Sequence, residues 1–275
     1  MSERADDGVP DTGRLLIIGG GEDRCCGAGV LERFVELAGG EQARITLVTT
    51  AAGIPDEVHA EYERVFRKLG VAYTRELRLR GRADADSDAA EAILRDATGV
   101  FFSGGDQSRI RALVGSRSNE VLDERLADGL VVAGTSAGAT ALGRTMILGG
   151  EGPEVAAATV RTAPGLGLLP GLLIDMHFAA RGRLPRLLSA VALNPEHIGV
   201  GIDDNTAVLV EGATFEVLGT GVVTVADAQD ATVVHAAGDY DPITLFDVRL
   251  HLMPAGCVYD IPARNASIGP AHTRY

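Results

Sequence analysis

At 275 residues the chain is long enough to bury a full hydrophobic core and lies near the upper limit for one domain. Its 38 Asp and Glu outweigh 25 Lys and Arg, and the resulting charge of −13 argues against a nucleic-acid partner and favours cationic ligands. Hydrophobic residues make up 46% with no apolar run of membrane-spanning length, a composition that fits a soluble globular protein and excludes a membrane span.

Residues 1–12 are polar and acidic and lack the apolar centre of a signal peptide. They predict a disordered tail and a cytoplasmic location, with a single domain over 13–275. The apolar run 14–18 predicts a strand that stops at Gly19-Gly20-Gly21. Cys25 and Cys26 follow, and with Cys257 they form neither a CxxC nor an even framework. No zinc site or other metal centre and no disulfide is indicated, so reduced, buried thiols are expected. Residues 28–38 carry Val30, Leu31, Phe34, Val35 and Leu37 at helical spacing. A β-branched strand at 45–50 runs into Ala51-Ala52-Gly53, then come a helix near 56–69 and a strand near 71–79. The segment 87–97 predicts a helix, 99–102 a strand ending in Ser103-Gly104-Gly105-Asp106-Gln107, and 108–114 another helix.

Strands alternating with helices at this spacing imply βαβ units. The fold class is α/β, with a mostly parallel central sheet flanked by helices. Each glycine turn follows a strand's C-terminal end, the edge where open α/β sheets bind ligands, so these turns should converge on one rim. Beyond residue 195, short runs at 198–202, 207–210, 215–219, 222–226 and 232–235 predict a β-rich C-terminal part without a linker to a second domain.

The buried run 129–133 leads into Gly134-Thr135-Ser136-Ala137-Gly138. A serine between glycines, on a turn from strand to helix, matches the elbow that lifts a nucleophilic hydroxyl above a sheet edge. The helix start behind it offers free N–H groups to a developing oxyanion. Such a serine needs a base, itself oriented by an acid. Of six histidines, His177 has the most suggestive neighbours: a strand at 172–176 before it, then Arg181, Arg183 and Arg186. Three arginines in six residues of an acidic chain suggest a grip on carboxylates. Asp203 and Asp204 are candidate third members, giving the order Ser, His, Asp. An esterase-like α/β-hydrolase would instead need Asp203 or Asp227 with His235 or His251.

Five motifs in this order resemble those of the cyanophycinase family, serine peptidases of family S51 related to aspartyl dipeptidase. They are Ile17-Ile18-Gly19-Gly20-Gly21-Glu22, Phe102 to Gln107, Gly134 to Ala139, Asp175-Met176-His177-Phe178 through Leu187, and Gly199 to Ala207. The resemblance implies a class I glutamine-amidotransferase-like core and a homodimer. It also implies Ser136 as nucleophile, His177 as general base and Asp204 as orienting acid, with no metal or organic cofactor. By analogy Gly105 and Ala137 supply the oxyanion-hole N–H groups, and Gln107, Asp175, Arg181, Arg183 and Arg186 line the substrate pocket. The implied substrate is cyanophycin, a polyaspartate with arginine on each β-carboxyl, cut to β-aspartyl-arginine, or a related aspartyl peptide. Two positions depart from the family: Met176 replaces a usual glutamine, and Asp204 is one methylene shorter than the usual glutamate. Asp203, Glu151 and Glu154 therefore stand as alternative acids, and an inactive aspartyl-peptide-binding homologue stands as the alternative to an enzyme.

Overall fold

The structure, a computed structural model, describes residues 13–25, 29–234 and 238–269. The tail 1–12, Cys26, position 28 at the start of the first predicted helix, His235 and His272 lie outside the described residues.

Strand β1 (Arg14–Ile18) is apolar without alternation, as a strand covered on both faces must be. Helix α1 (Gly29–Leu37), β2 (Arg44–Val48), α2 (Pro55–Lys68) and β3 (Tyr73–Leu77) follow. The short α3 (Arg82–Ala85) precedes α4 (Asp88–Asp96), whose N-cap Ser87 accepts from Ala90 N–H, and β4 (Gly99–Phe102). The helix expected at 108–114 is a 3-10 turn over Gln107–Ala112, and the true helix is α5 (Arg117–Ala127). Its apolar positions Val121, Leu122 and Leu126 are too few to show a period. Ser116, which caps it by accepting from Asn119 N–H, was the available signal.

β5 (Val131–Thr135) turns through Ser136 into α6 (Ala137–Ala141), and β6 (Thr145–Gly149) and β7 (Arg161–Pro164) make a small antiparallel pair. β8 (Leu172–Met176), α7 (Leu184–Leu193) and β9 (Ile198–Ile202) form a βαβ unit with the two strands parallel. The remaining strands are β10 (Thr206–Glu211), β11 (Thr214–Gly219), β12 (Val222–Asp227), β13 (Thr232–Val234), β14 (Thr244–Phe246), β15 (Arg249–Pro254), β16 (Cys257–Asp260) and β17 (Asn265–Ile268).

The large sheet has nine strands in the order β17-β16-β11-β10-β1-β5-β4-β2-β3. The strands from β1 to β3 in that order are parallel, whereas β10, β11, β16 and β17 add on antiparallel. The expectation of a mostly parallel sheet thus holds for one half only. β10 and β11 are joined by Gly212 and Ala213 alone, and so short a link allows only a hairpin. β8 and β9 do not join this sheet at all. They belong to a second one, ordered β15-β12-β9-β8.

Side chains alternate across the large sheet: Leu15 and Ile17 of β1 enter one apolar cluster, Leu16 and Ile18 the other. All four are fully buried, each worth about 1.5–3 kcal/mol relative to exposure. On one face α1 and α2 contribute Phe34, Tyr62 and Phe66 around Phe101 of β4. On the other, Ile174, Val200 and Ile202 of the second sheet pack into the cluster that holds Val208 and Val217 of the first. The turn Asp203-Asp204-Asn205 carries the chain from β9 across to β10, so it stands at the seam between the two sheets.

Cys25 is exposed and Cys257 half-buried, and both are free, so the expectation of buried thiols fails for Cys25. It sits on the polar loop after β1, outside the apolar layers. Among the described residues no helix is long and apolar enough to cross a membrane.

Candidate active site

The last residue of β5, Thr135, is buried, and the next, Ser136, takes φ 51° and ψ −114°. That region is unfavourable for a side-chain-bearing residue and persists only where the surroundings impose it. Ser136 N–H donates to the Ile18 carbonyl at 3.0 Å, and its own carbonyl accepts from Ala139 and Thr140 N–H. Gly138 sits so close to β4 that a Cβ there would lie 2.8 Å from the Phe102 carbonyl carbon.

Below the turn, Thr135 Oγ1 donates to Glu22 Oε2 at 2.6 Å. Glu22 is 5% exposed and also accepts from the Tyr62 hydroxyl and from Arg24, whose guanidinium lies 4.6 Å from the Tyr62 ring centre. Burial, reinforced by the Glu22 charge, pushes the Tyr62 hydroxyl well above its ordinary pKa, so it stays a donor. This carboxylate ties the loop after β1, helix α2 and the residue before Ser136 into one network. The motif containing Glu22 was readable in the sequence, but its partner Tyr62 lies forty positions away in the chain.

His177 follows β8 directly, with φ 52°, and its N–H donates to the Gly19 carbonyl at 2.8 Å. Its Nε2 lies 2.9 Å from Ser136 Oγ, and its Nδ1 is hydrogen-bonded to Asp204 Oδ1. A proton on Nδ1, toward the carboxylate, leaves the Nε2 lone pair facing the hydroxyl. Gly20 forms the floor under the ring: a Cβ there would meet Nε2 at 2.6 Å and Nδ1 at 2.9 Å. The Gly20 carbonyl also accepts from Asn205 N–H at 2.8 Å, which fixes the turn that bears Asp204.

Of the four candidate acids, only Asp204 reaches the ring. Asp203 points away, its two oxygens accepting from Ala179 N–H at 2.9 Å and Val222 N–H at 3.1 Å. Glu151 and Glu154 are exposed in the loop after β6. The pairing needed by the esterase alternative is absent among the described residues. Asp227 is taken by Arg249 and Arg264, and His251 packs on the Tyr259 ring.

Ser136 opens onto a cavity of about 410 Å³ lined by Gly105, Gln107, Met176, Arg181, Arg183 and Arg186. Leu148, Gly149, Gly150 and Arg161, which sequence reasoning did not place there, complete the wall together with Glu151, offered by the sequence only as an alternative acid. Ala137 is the first residue of α6, where a helix leaves its N–H unpaired. Gln107 Nε2 donates to the Ile147 and Leu148 carbonyls, so its amide oxygen is the part it can offer a ligand.

Asp175 departs from the expectation that it lines the pocket. It is completely buried, takes Arg186 on both oxygens and accepts from Arg183 Nη1 at 3.3 Å. Along β8 it points to the side opposite its neighbours, and α7 covers it with Arg186. That arginine spends its third nitrogen on the Gly150 carbonyl and is a wall of the cavity more than a reagent in it. Arg183 also donates to the Met176 carbonyl and to Met176 Sδ. Burial pulls its guanidinium down to about 10, with Asp175 opposing and the Arg186 and Arg181 charges assisting. Asp175→Ala would strand the Arg186 charge in the interior. The expected loss of stability is about 3–5 kcal/mol, read as a lower denaturant midpoint at unchanged slope. An unchanged midpoint would show that the pair does not hold the fold.

A hydroxyl, an imidazole and a carboxylate hydrogen-bonded in series, where a buried strand turns into a helix, are the marks by which serine hydrolases are recognised. The chain belongs to peptidase family S51, whose family model matches residues 15–218. It is a hydrolase, a serine-type peptidase. It is 37% identical over 248 residues to a cyanophycinase of a Nostoc species, covering 88% of this chain and 83% of that one. With a cyanophycinase of Synechococcus elongatus it shares 38% identity over 255 residues, 90% of this chain and 79% of the relative. The crystal structure of a peptidase from an acI-B1 Actinobacterium superposes with a TM-score of 0.59 at 19% identity, covering 87% of this chain and 97% of the other, and carries the likeness of fold alone.

Proposed function

We propose that the chain degrades cyanophycin, releasing β-aspartyl-arginine by acyl transfer through Ser136, His177 and Asp204. The observation that carries this reading is the run Ser136 Oγ, His177 Nε2, His177 Nδ1, Asp204 Oδ1 at the mouth of an arginine-lined cavity. Similarity to cyanophycinases along most of the chain supplies the substrate.

In the cycle, His177 takes the Ser136 proton as Oγ attacks the peptide carbonyl. The N–H groups of Gly105 and Ala137 hold the tetrahedral oxyanion, and His177 then protonates the leaving amine. Water activated by the same imidazole releases the acyl group. Asp204 keeps the ring in the tautomer that can accept a proton. Gln107, Arg181 and Arg183 bind the substrate's polar groups, while Asp175 and Arg186 hold up the wall behind them. Every step is carried by side chains, backbone N–H groups and water. We further read residues 13–275 as one cytoplasmic domain with a class I glutamine-amidotransferase-like core, acting as a homodimer.

Incubation with cyanophycin and with a panel of β-aspartyl peptides, followed by mass spectrometry, tests the proposal. Release of β-aspartyl-arginine is expected. Cleavage of another aspartyl peptide but not cyanophycin would keep the chemistry and make Met176 the mark of an altered substrate. No cleavage of either would overturn the reading.

A further inference from the structure

We infer that Glu151 is the group that recognises the positive charge of the substrate, a role that rests on the reading above and deepens it. The charges on the cavity wall motivate the assignment. Four arginines line it, and Glu151 is the one carboxylate among the lining residues. Asp175, the carboxylate that the family resemblance places in the pocket, is buried and already engaged by Arg186 and Arg183. Arg186 is thereby neutralised. Arg161, Arg181 and Glu151 differ from them: among the described residues their side chains have no hydrogen-bond or ion-pair partner. Three charges are thus left open toward one cavity, two positive and one negative, with Arg183 half-engaged beside them.

A peptide unit that bears a guanidinium and free carboxylates needs the complement of this set. Without an opposing carboxylate, the cluster of arginines would repel a guanidinium at close range. Arg161 and Arg181 suit the carboxylates, since the planar guanidinium fork matches them. Glu151 suits the cation.

Glu151 is also held where such a role requires. The strand before it is anchored by Gln107, which donates to the Ile147 and Leu148 carbonyls. The adjacent Gly150 carbonyl accepts from Arg186 at 3.2 Å. The loop is therefore pinned to the same wall that faces Ser136, while the Glu151 side chain remains accessible.

The test compares two ligands on the inactive Ser136→Ala protein: a peptide of two β-aspartyl-arginine units and its isostere with neutral citrulline in place of arginine. Calorimetry is expected to show tighter binding of the arginine peptide. Adding Glu151→Gln is expected to weaken that peptide about ten- to a hundredfold, the worth of one charge-assisted hydrogen bond, and to leave the citrulline peptide unchanged. Retained citrulline binding also shows that the variant is folded. If the double variant keeps the full preference for arginine, Glu151 is not the recognition group. If neither peptide binds the Ser136→Ala protein, the substrate assignment itself fails, and this inference falls with it.

Discussion

Ser136→Ala is expected to lower kcat on an aspartyl peptide by about 10⁴- to 10⁶-fold, the range found when a serine of this kind is removed. The change deletes Oγ and nothing else that the fold uses. The backbone strain at φ 51° is imposed by the Ile18 carbonyl and by the close approach of Gly138 to β4, both of which survive. The denaturant midpoint and KM should therefore stay near those of the parent. The checks are single-turnover kinetics and labelling by a fluorophosphonate, which should modify the parent protein at Ser136 and leave the variant untouched. A variant that retained even a tenth of the parental rate would move the chemistry to another group.

Gly20→Ala should be nearly as damaging, although Gly20 has no chemistry of its own. The new methyl group would lie within 2.9 Å of both ring nitrogens of His177, with no room beside them. It would also sit at φ 105°, where an L-residue is strained by about 1–3 kcal/mol. Both effects lift the imidazole off its seat. A displacement of about 1 Å in a reacting group typically costs about 10²-fold, and here the hydrogen bonds to Ser136 and Asp204 would both be disturbed. We expect kcat to fall about 10²- to 10³-fold with KM little changed. Gly53→Ala, in the turn after β2 with open space around its Cα, is the control and should be silent. Equal kinetics for the two variants would refute the role given to Gly20.

The parallel half of the large sheet was legible because its inner strands are short runs of buried apolar residues that end near glycine-containing turns. Leu15 to Ile18 and Val100 to Phe102 announce themselves in this way. The choice of partner strands was not legible. Ile198–Ile202 reads the same whether it joins β1 or stands beside β8 in a second sheet, since both environments bury it completely. Ser136 could be singled out as a candidate from its local turn, and His177 from its neighbours. The choice between Asp203 and Asp204 depends on which way consecutive side chains point in one tight turn, a matter of backbone geometry. The arginine row was visible as a row, but its division of labour was not. Arg186 lies in the first turn of α7 and is drawn inward by Asp175, whereas Arg181 precedes the helix and stays outside.

The seam between the two sheets has a bearing on biosynthesis. Ser136 leaves the ribosome with the first sheet half built, His177 arrives with the second, and Asp204 comes only with the turn that links them. On the proposed mechanism, a nascent chain, or one clipped anywhere before that turn, carries the hydroxyl without the means to activate it. On that mechanism, hydrolytic competence is thus acquired late in synthesis, once residue 204 of 275 has been added.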